Sequence, residues 1–254
     1  MLPVLIPVYI LIFIFGIVIG SFLNVCILRI PLHETIVTER SHCMTCGYQL
    51  SWYDMVPVFS WLIYGGKCRK CKAPISPQYP IIEFLNGVCY VVITLVTGFS
   101  LESILYCLLA SALIVLSVID WRTYEIPLGI NLFILALGIL RLILDRSSWQ
   151  SYLTGFLIVS VLLEVILLLS GGRAIGGGDV KLMAAAGLLL GWKQILLAFF
   201  LACVIGSVIH LLRMKLTRAE HVLAMGPYLS AGILISALWG QQLIDLYLHN
   251  ICGM

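Results

Sequence analysis

Charged side chains are scarce in this 254-residue chain, where Lys, Arg, Asp and Glu make up 11% of the residues and apolar residues 61%. Soluble domains are typically about 25% charged and about 45–50% apolar. One buried core could not accommodate such an excess of apolar side chains, which excludes an ordinary soluble enzyme, a disordered tail and a collagen-like fibre. The composition predicts an all-α membrane protein that crosses the bilayer several times.

Two signatures of nucleotide and nucleic-acid binding are also missing. The formal net charge is only +3 and the basic residues are dispersed, so we expect no nucleic-acid partner. The chain has no G-x-G-x-x-G loop of the kind that binds dinucleotides. A cofactor, if there is one, has to be sought in other patterns.

Long apolar segments fill most of the chain. A transmembrane helix needs about 20 mainly apolar residues, and six segments meet that length. Two shorter segments, separated by a predicted tight turn from Gly191 to Gln194, bring the total to about eight helices. The predicted helices are residues 4–28, 80–98, 101–119, 127–144, 152–170, 180–191, 194–213 and 223–248.

Basic residues predict the orientation of these helices, because cytoplasmic loops collect Lys and Arg. With both termini outside, twelve of the fifteen basic residues fall in inner loops, and only Arg141, Arg146 and Lys193 fall outside. Removing one helix would reverse every later loop and scatter the charge over both faces. We therefore expect a multi-pass protein of a bacterial inner membrane with its N-terminus and C-terminus outside.

One long polar segment, residues 30–79, lies between the first two predicted helices and contains two C-x2-C pairs. Four thiolates converging from two tight turns are a common tetrahedral zinc site. The alternatives are two disulfides, which a reducing cytosol disfavours, or four unrelated thiols. The pattern predicts a cytoplasmic zinc-ribbon-like loop whose ligands are Cys43, Cys46, Cys68 and Cys71.

Two carboxylates are predicted at the same cytoplasmic edge of the membrane. Asp120 ends the third predicted helix, and Asp179 follows three glycines, Gly176 to Gly178. Ionisable groups in a membrane are costly and indicate function by default. Two such carboxylates would share a proton, so that one could activate water while the other donated to a carbonyl. The simpler interpretations are a helix N-cap for Asp179 and a pairing with Arg122 for Asp120.

Taken together, these motifs resemble those of the type IV prepilin peptidases, membrane enzymes of pilus and type II secretion systems that combine leader peptidase and N-methyltransferase activities. The matching stretches keep the order of that family through nearly the whole chain. They are Gly20 to Cys26, Arg29 to Pro31, Arg40 to Cys46, Leu50 to Asp54, Cys68 to Pro80, Glu83, Ile119-Asp120, Ile126-Pro127, Gly176 to Lys181, and Gly226 to Tyr228.

The resemblance implies that Asp120 and Asp179 are the catalytic pair of a GxGD-type membrane aspartic protease, with Gly176 and Gly178 as the motif glycines. It implies three parts: a first helix (1–29), a zinc-binding methyltransferase loop (30–79) and a seven-helix peptidase domain (80–254). The implied methyl donor is S-adenosylmethionine. Glu83 and Gly87, beside the cysteine loop, are the candidates for its site.

The implied substrates are type IV prepilins or pseudopilins, cleaved after a basic leader where the apolar helix leaves the inner face of the bilayer. Two other classes stay open. A proton-coupled transporter could also place carboxylates beside a broken helix, but it predicts inverted repeats, and the halves of this chain show no convincing similarity. A zinc-ribbon membrane scaffold would have no need for the sequence from Gly176 to Asp179.

Overall fold

The structure, a computed structural model, describes residues 2–37, 40–217 and 223–251. Arg218, counted above among the inner basic residues, lies outside them. The described residues form helices joined by short turns, apart from the long loop of residues 30–77, which contains two isolated β-bridges, and they form no β-strand. The helices are α1 (Leu2–Arg29), α2 (Phe59–Ile63), α3 (Gln78–Thr97), α4 (Leu101–Thr123), α5 (Leu128–Leu144), α6 (Trp149–Ser170), α7 (Gly177–Leu190), α8 (Trp192–Thr217) and α9 (Gly226–Ile251).

The prediction of a multi-pass all-α protein with about eight apolar helices is confirmed, since every predicted span corresponds to one helix. In the described part of the chain, six helices are long and apolar enough to cross a membrane, and α5 is a shorter apolar helix of 17 residues. Helix α7 has 14 residues, about 21 Å at a rise of about 1.5 Å per residue. It is therefore shorter than the bilayer core is thick.

The chain divides into two compact units, Met1–Ser103 and Ile104–Met254. The first contains α1, the 30–77 loop with α2, and α3. The second contains α5 to α9 and most of α4. The three-part division at residues 29 and 79 concerns activities and stays a prediction.

In the first unit, α1 packs closely against α3 through glycine. A Cβ on Gly16 would lie 2.8 Å from the Cα of Gly87, and one on Gly20 would lie 2.6 Å from the Cα of Glu83. Asn86 donates to the carbonyl of Gly16 at 2.7 Å. Small residues four apart let two membrane helices approach until their backbones touch, and a buried amide then bonds across the contact.

In the second unit, α7 packs against α5, α6, α8 and α9. Its residues from Leu182 onward are buried except Ala184. Its contact with α6 again depends on glycine, because a Cβ on Gly155 or Gly187 would collide with the backbone carbonyl of the other. A helix covered by four neighbours has no lipid-facing side, which explains why its 14 residues combine small and large apolar side chains without one polar face.

The turn between α7 and α8 is tighter than predicted. Only Gly191 separates the two helices, and Trp192, Lys193 and Gln194 already belong to α8. Gly191 has a φ of +86° and donates its amide to the carbonyl of Gly187 at 2.9 Å. One glycine with a positive φ is enough to reverse the chain, so the predicted four-residue turn was too long.

Candidate catalytic and metal sites

Asp120 lies three residues before the end of α4 and is buried, with 5% of its surface exposed. Its Oδ2 accepts a hydrogen bond of 2.8 Å from the backbone amide of Gly226. Gly226 is the first residue of α9, and the amides of a first helical turn have no partners within their own helix. Asp120 therefore caps a helix 106 residues further along the chain.

Gly226 leaves room for this carboxylate. A Cβ at this position would lie 2.7 Å from Oδ2 and 3.0 Å from Cγ of Asp120. Real Cβ atoms do not approach that closely, so any larger residue would displace either the carboxylate or the start of α9. Gly226 belongs to a stretch that resembles the family, but that resemblance implies no role for it.

Asp179 is the third residue of α7. Its Oδ2 accepts from the backbone amide of Gly176, the N-cap residue, at 3.3 Å. The simpler interpretation of Asp179 as a capping residue therefore holds in a modified form, since it caps from the third position. Its Oδ1 is buried and has no hydrogen-bond partner in the described part of the chain. A buried carboxylate oxygen without a donor is costly, so this atom needs an explanation beyond helix capping.

The two carboxylates lie close enough for their negative charges to repel each other. Each is held through Oδ2 by a single backbone amide at a helix N-terminus, Asp120 at α9 and Asp179 at α7. Like charges that interact in a site of low dielectric disfavour ionisation of both groups, so that one carboxyl is protonated while the other is ionised. The arrangement can hold an acid and a base side by side.

Gly178 connects this pair to α5. Its carbonyl accepts a 3.2 Å hydrogen bond from the side-chain amide of Asn131, which is only 3% exposed. A Cβ on Gly178 would lie 2.8 Å from the Cβ of Ile126. Sequence reasoning missed Asn131, although an amide within an apolar helix was a signal that could have found it. The peptide that precedes Asp179 is thus fixed from outside its own helix.

The four predicted metal ligands come together in the 30–77 loop. The sulfur atoms of Cys43, Cys46, Cys68 and Cys71 all lie within 4.8 Å of one another. The Sγ atoms of Cys43 and Cys71 are 3.8 Å apart. A zinc tetrahedron with Zn–S bonds of about 2.3 Å has S–S edges of about 3.8 Å. The sulfur positions therefore fit one tetrahedral metal ion.

The two cysteine turns have the same backbone. In the first, Gly47 donates to the carbonyl of Cys43 at 2.9 Å, and Cys43 donates to Tyr48 at 2.8 Å. In the second, Lys72 donates to Cys68 at 3.0 Å, and Cys68 to Ala73 at 2.8 Å. The fifth residue of each turn has a positive φ, +68° at Gly47 and +60° at Lys72. The site thus consists of two copies of one local structure.

Electrostatics at the first turn favour a thiolate. Hydrogen bonds from the backbone amides of Cys46 and Thr45 lower the pKa of Cys43 to about 6. At Cys71 the backbone hydrogen bond to Ala73 acts in the same direction, but desolvation and the neighbouring thiols outweigh it and raise the pKa to about 11. Without a cation, the four thiols would not all ionise together at neutral pH, whereas a bound metal favours all four thiolates.

Glu83 and Gly87 both lie at the contact of α1 with α3. Glu83 is buried, and its Oε2 accepts a 2.7 Å hydrogen bond from the backbone amide of Val58. A Cβ on Gly87 would lie 2.9 Å from Phe13 and Ile17. These surroundings are those of a helix contact and do not present the open hydrogen-bonding surface that a nucleoside requires. Their assignment to the methyl donor stays a prediction.

These features define a polytopic membrane protein with a paired-carboxylate site in one unit and a four-thiol metal-type site in the other. Two family models match the chain. The Bacterial Peptidase A24 N-terminal domain matches residues 14–97, and the Type IV leader peptidase family matches residues 107–211. The first match contains the four cysteines of the metal-type site, and the second contains the two aspartates of the paired-carboxylate site.

Several curated proteins named prepilin leader peptidase/N-methyltransferase are similar over most of their length. The protein from Bacillus subtilis is 34% identical over 247 residues, which cover 96% of this chain and 99% of the relative. Those from Aeromonas hydrophila and Pseudomonas aeruginosa are 29% and 28% identical, covering 94% and 92% of this chain and 93% and 91% of the relatives. No solved structure matches significantly. The chain belongs to the type IV leader peptidase family, as the motifs predicted.

Proposed function

We propose that Asp120 and Asp179 form the catalytic pair of a membrane aspartic endopeptidase that removes the basic leader from type IV prepilins and pseudopilins, and that the chain then N-methylates the new N-terminal residue. The main support for the peptidase assignment is the electrostatic interaction of the two carboxylates, each of which accepts a hydrogen bond from one backbone amide. The family membership and the names of the relatives support both the substrate class and the two activities.

Hydrolysis requires a proton acceptor and a proton donor on either side of the scissile bond. The ionised carboxylate takes a proton from water, whose oxygen attacks the carbonyl carbon, while the protonated carboxyl donates to the carbonyl oxygen. The C–N bond then breaks as the first carboxyl gives its newly acquired proton to the leaving amine, and the second carboxylate regains its proton from a hydroxyl of the tetrahedral intermediate, which restores the pair. The buried Oδ1 of Asp179, which has no other partner in the described structure, is suited to hold the water.

The pair acts at the cytoplasmic face of the inner membrane, with both termini outside. This orientation is supported by the excess of Lys and Arg in the loops that it assigns to the inside. A prepilin helix ending at that face would present its leader junction at the depth of Asp120 and Asp179. The three glycines before Asp179 leave space for an extended peptide to approach the backbone.

The four cysteines fit a structural zinc ion, which would contribute folding free energy to a loop with few apolar contacts of its own. S-adenosylmethionine supplies the methyl group in the proposed second activity. The geometry around Glu83 and Gly87 gives no support for a nucleoside there, so we derive no step through this donor.

Co-expression of each aspartate variant with a prepilin tests the proposal, with the N-terminus of the pilin read by mass spectrometry. We expect Asp120→Asn and Asp179→Asn each to lower cleavage by about 10²- to 10⁴-fold, the usual contribution of a general acid or base. Asp245→Asn is the control, because Asp245 is exposed on α9 and accepts a hydrogen bond from Gln241 one turn away. Near-normal cleavage by either variant would exclude the aspartic mechanism.

A further inference from the structure

The segment from Trp52 to Ile63 exposes an unusual amount of apolar surface. Trp52 is 78% exposed, Phe59 62% and Ile63 76%. The exposed side chains recur at spacings of three and four residues through the 3-10 turn at Trp52–Met55 and through α2. Exposed apolar side chains concentrated in one short segment indicate an interaction site. The six residues are Trp52, Met55, Val56, Phe59, Leu62 and Ile63, called here the interface segment.

A hydrogen bond to α3 fixes the position of the interface segment along the axis of that helix. The amide of Val58, the N-cap residue of α2, donates to Oε2 of Glu83 at 2.7 Å. Glu83 is the sixth residue of α3, about 7.5 Å along the axis from Gln78 at a rise of about 1.5 Å per residue. Val58 is therefore hydrogen-bonded to a residue that lies more than one turn inside a membrane-spanning helix.

Val58 adopts a costly conformation to make this contact. Its φ of +62° lies in a region that β-branched residues rarely occupy. Glu83 is held in turn by the α1 contact, where a Cβ on Gly20 would lie 2.6 Å from its Cα. Strained backbone persists where the surrounding structure determines it. The position of α2 is thus set by the two membrane helices.

One basic side chain contacts the stretch from Trp52 to Ile63, and three more are exposed on the same cysteine turn as that side chain. The guanidinium of Arg69 lies 4.8 Å from the ring centroid of Tyr53, and 3.8 Å from the Asp54 carboxylate. Lys67, Lys70 and Lys72 are exposed on the second cysteine turn. Exposed aromatic and aliphatic groups next to Lys and Arg are the composition of segments that lie in the membrane interface.

We propose that the interface segment lies in the interfacial layer of the lipid bilayer, so that the cysteine loop rests on the membrane surface and does not project from it. The anchoring of Val58 to α3 places α2 at that level, and the apolar side chains enter the boundary between headgroups and acyl chains. The nearby Lys and Arg side chains then reach anionic phosphates. This inference depends on the membrane character of the chain and not on its catalytic assignment.

Photo-cross-linking of the full chain in nanodiscs of phosphatidylglycerol and phosphatidylcholine tests the proposal. A benzophenone amino acid is placed at position 59, with Leu11, 65% exposed on α1, as the lipid-facing reference and Met44, 81% exposed on the first cysteine turn, as the reference outside the segment. We expect lipid adducts at position 59 at a yield near that of position 11 and several-fold above that of position 44. Lipid adducts at position 11 but not at 59 would overturn the proposal.

Adducts at position 59 with a second copy of the chain, with another part of the same chain or with an added prepilin, in place of lipid, would also overturn it. The double variant Leu62→Asp with Ile63→Asp should lose the lipid adduct at position 59 and keep its zinc, whereas Met44→Asp should change neither. Zinc content reports whether the loop is still folded. A double variant that keeps its zinc and its lipid adduct would contradict a role for this apolar surface.

Discussion

The cysteine site and the aspartate site are built at different ranges along the chain. All four thiols come from one loop, and Cys43 and Cys71 are 28 residues apart. The aspartate site needs residues from α4, α5, α7 and α9, and its hydrogen bond between Asp120 and Gly226 joins residues 106 apart. A locally built site is lost when its own ligands are removed. A site built by packed helices can be lost through residues that do no chemistry.

The largest effect is expected from the loss of a zinc ligand, which distinguishes the cysteine site from the aspartate site. Cys46→Ser removes one of four ligands, and we expect the zinc content to fall from about one per chain to near zero, because structural zinc requires all four. Methylation should be lost first, and cleavage should fall only as far as the loop helps to position the prepilin. Metal analysis of purified protein and the mass of the processed pilin measure both.

Cys203→Ser is the matched control, since Cys203 is a single thiol in α8. It should keep the zinc content and both activities. If the parent protein contained no zinc yet methylated fully, the metal assignment would be wrong while the peptidase assignment stood.

The next largest effect is expected from a substitution that alters the aspartate site but leaves both aspartates in place. Gly226→Ala places a Cβ 2.7 Å from Oδ2 of Asp120, so the carboxylate or the start of α9 must move. Displacement of a catalytic group by about 1 Å can cost about 10²-fold in rate. We expect kcat for leader cleavage to fall by about that factor, with unchanged zinc content.

Gly129→Ala adds the same methyl group on α5, where nothing lies within 4 Å of the new atom. It should cleave like the parent. Equal activity of the two alanine variants would show that the contact between Gly226 and Asp120 has no part in catalysis.

A smaller effect is expected at Asn131. Asn131→Leu keeps the number and branching of the side-chain heavy atoms but removes the donor to the Gly178 carbonyl, a loss of about 1 kcal/mol that corresponds to roughly fivefold in rate. Because Asn131 acts on the backbone before Asp179, kcat should fall while KM stays near the parent value. Leu132→Ala, next to it and 54% exposed, should alter neither. A change confined to KM would indicate direct substrate contact instead.

The smallest expected effect compares the two cysteine turns with each other. Gly47 and Lys72 share a positive φ, which costs a non-glycine residue about 1 kcal/mol. Gly47→Ala should weaken zinc retention against a chelator by about that amount. Lys72→Gly should strengthen it by less, because glycine also gains entropy in the unfolded chain. If both substitutions changed zinc retention in the same direction, the two turns would not be equivalent.

The sequence was most informative where structure is local. The long helices followed from hydropathy, and the convergence of four thiols followed from two C-x2-C pairs. Asn131 and Gly226 acquire their roles only when α5 packs near α7 and when α9 begins beside Asp120. Contacts over such distances leave no periodic signal in one chain, so reasoning from the sequence predicted the carboxylates and missed the groups that hold them.

The short length of α7 affects how a change in bilayer thickness acts on Asp179. Long helices that face lipid must match the thickness of the bilayer, and mismatch is relieved by tilting or by local thinning. Helix α7, about 21 Å long and enclosed by α5, α6, α8 and α9, has little surface on which such a mismatch could act. A change in acyl-chain length therefore acts on Asp179 through the tilt of the surrounding helices. Helix α7 itself does not have to match the hydrophobic thickness of the membrane.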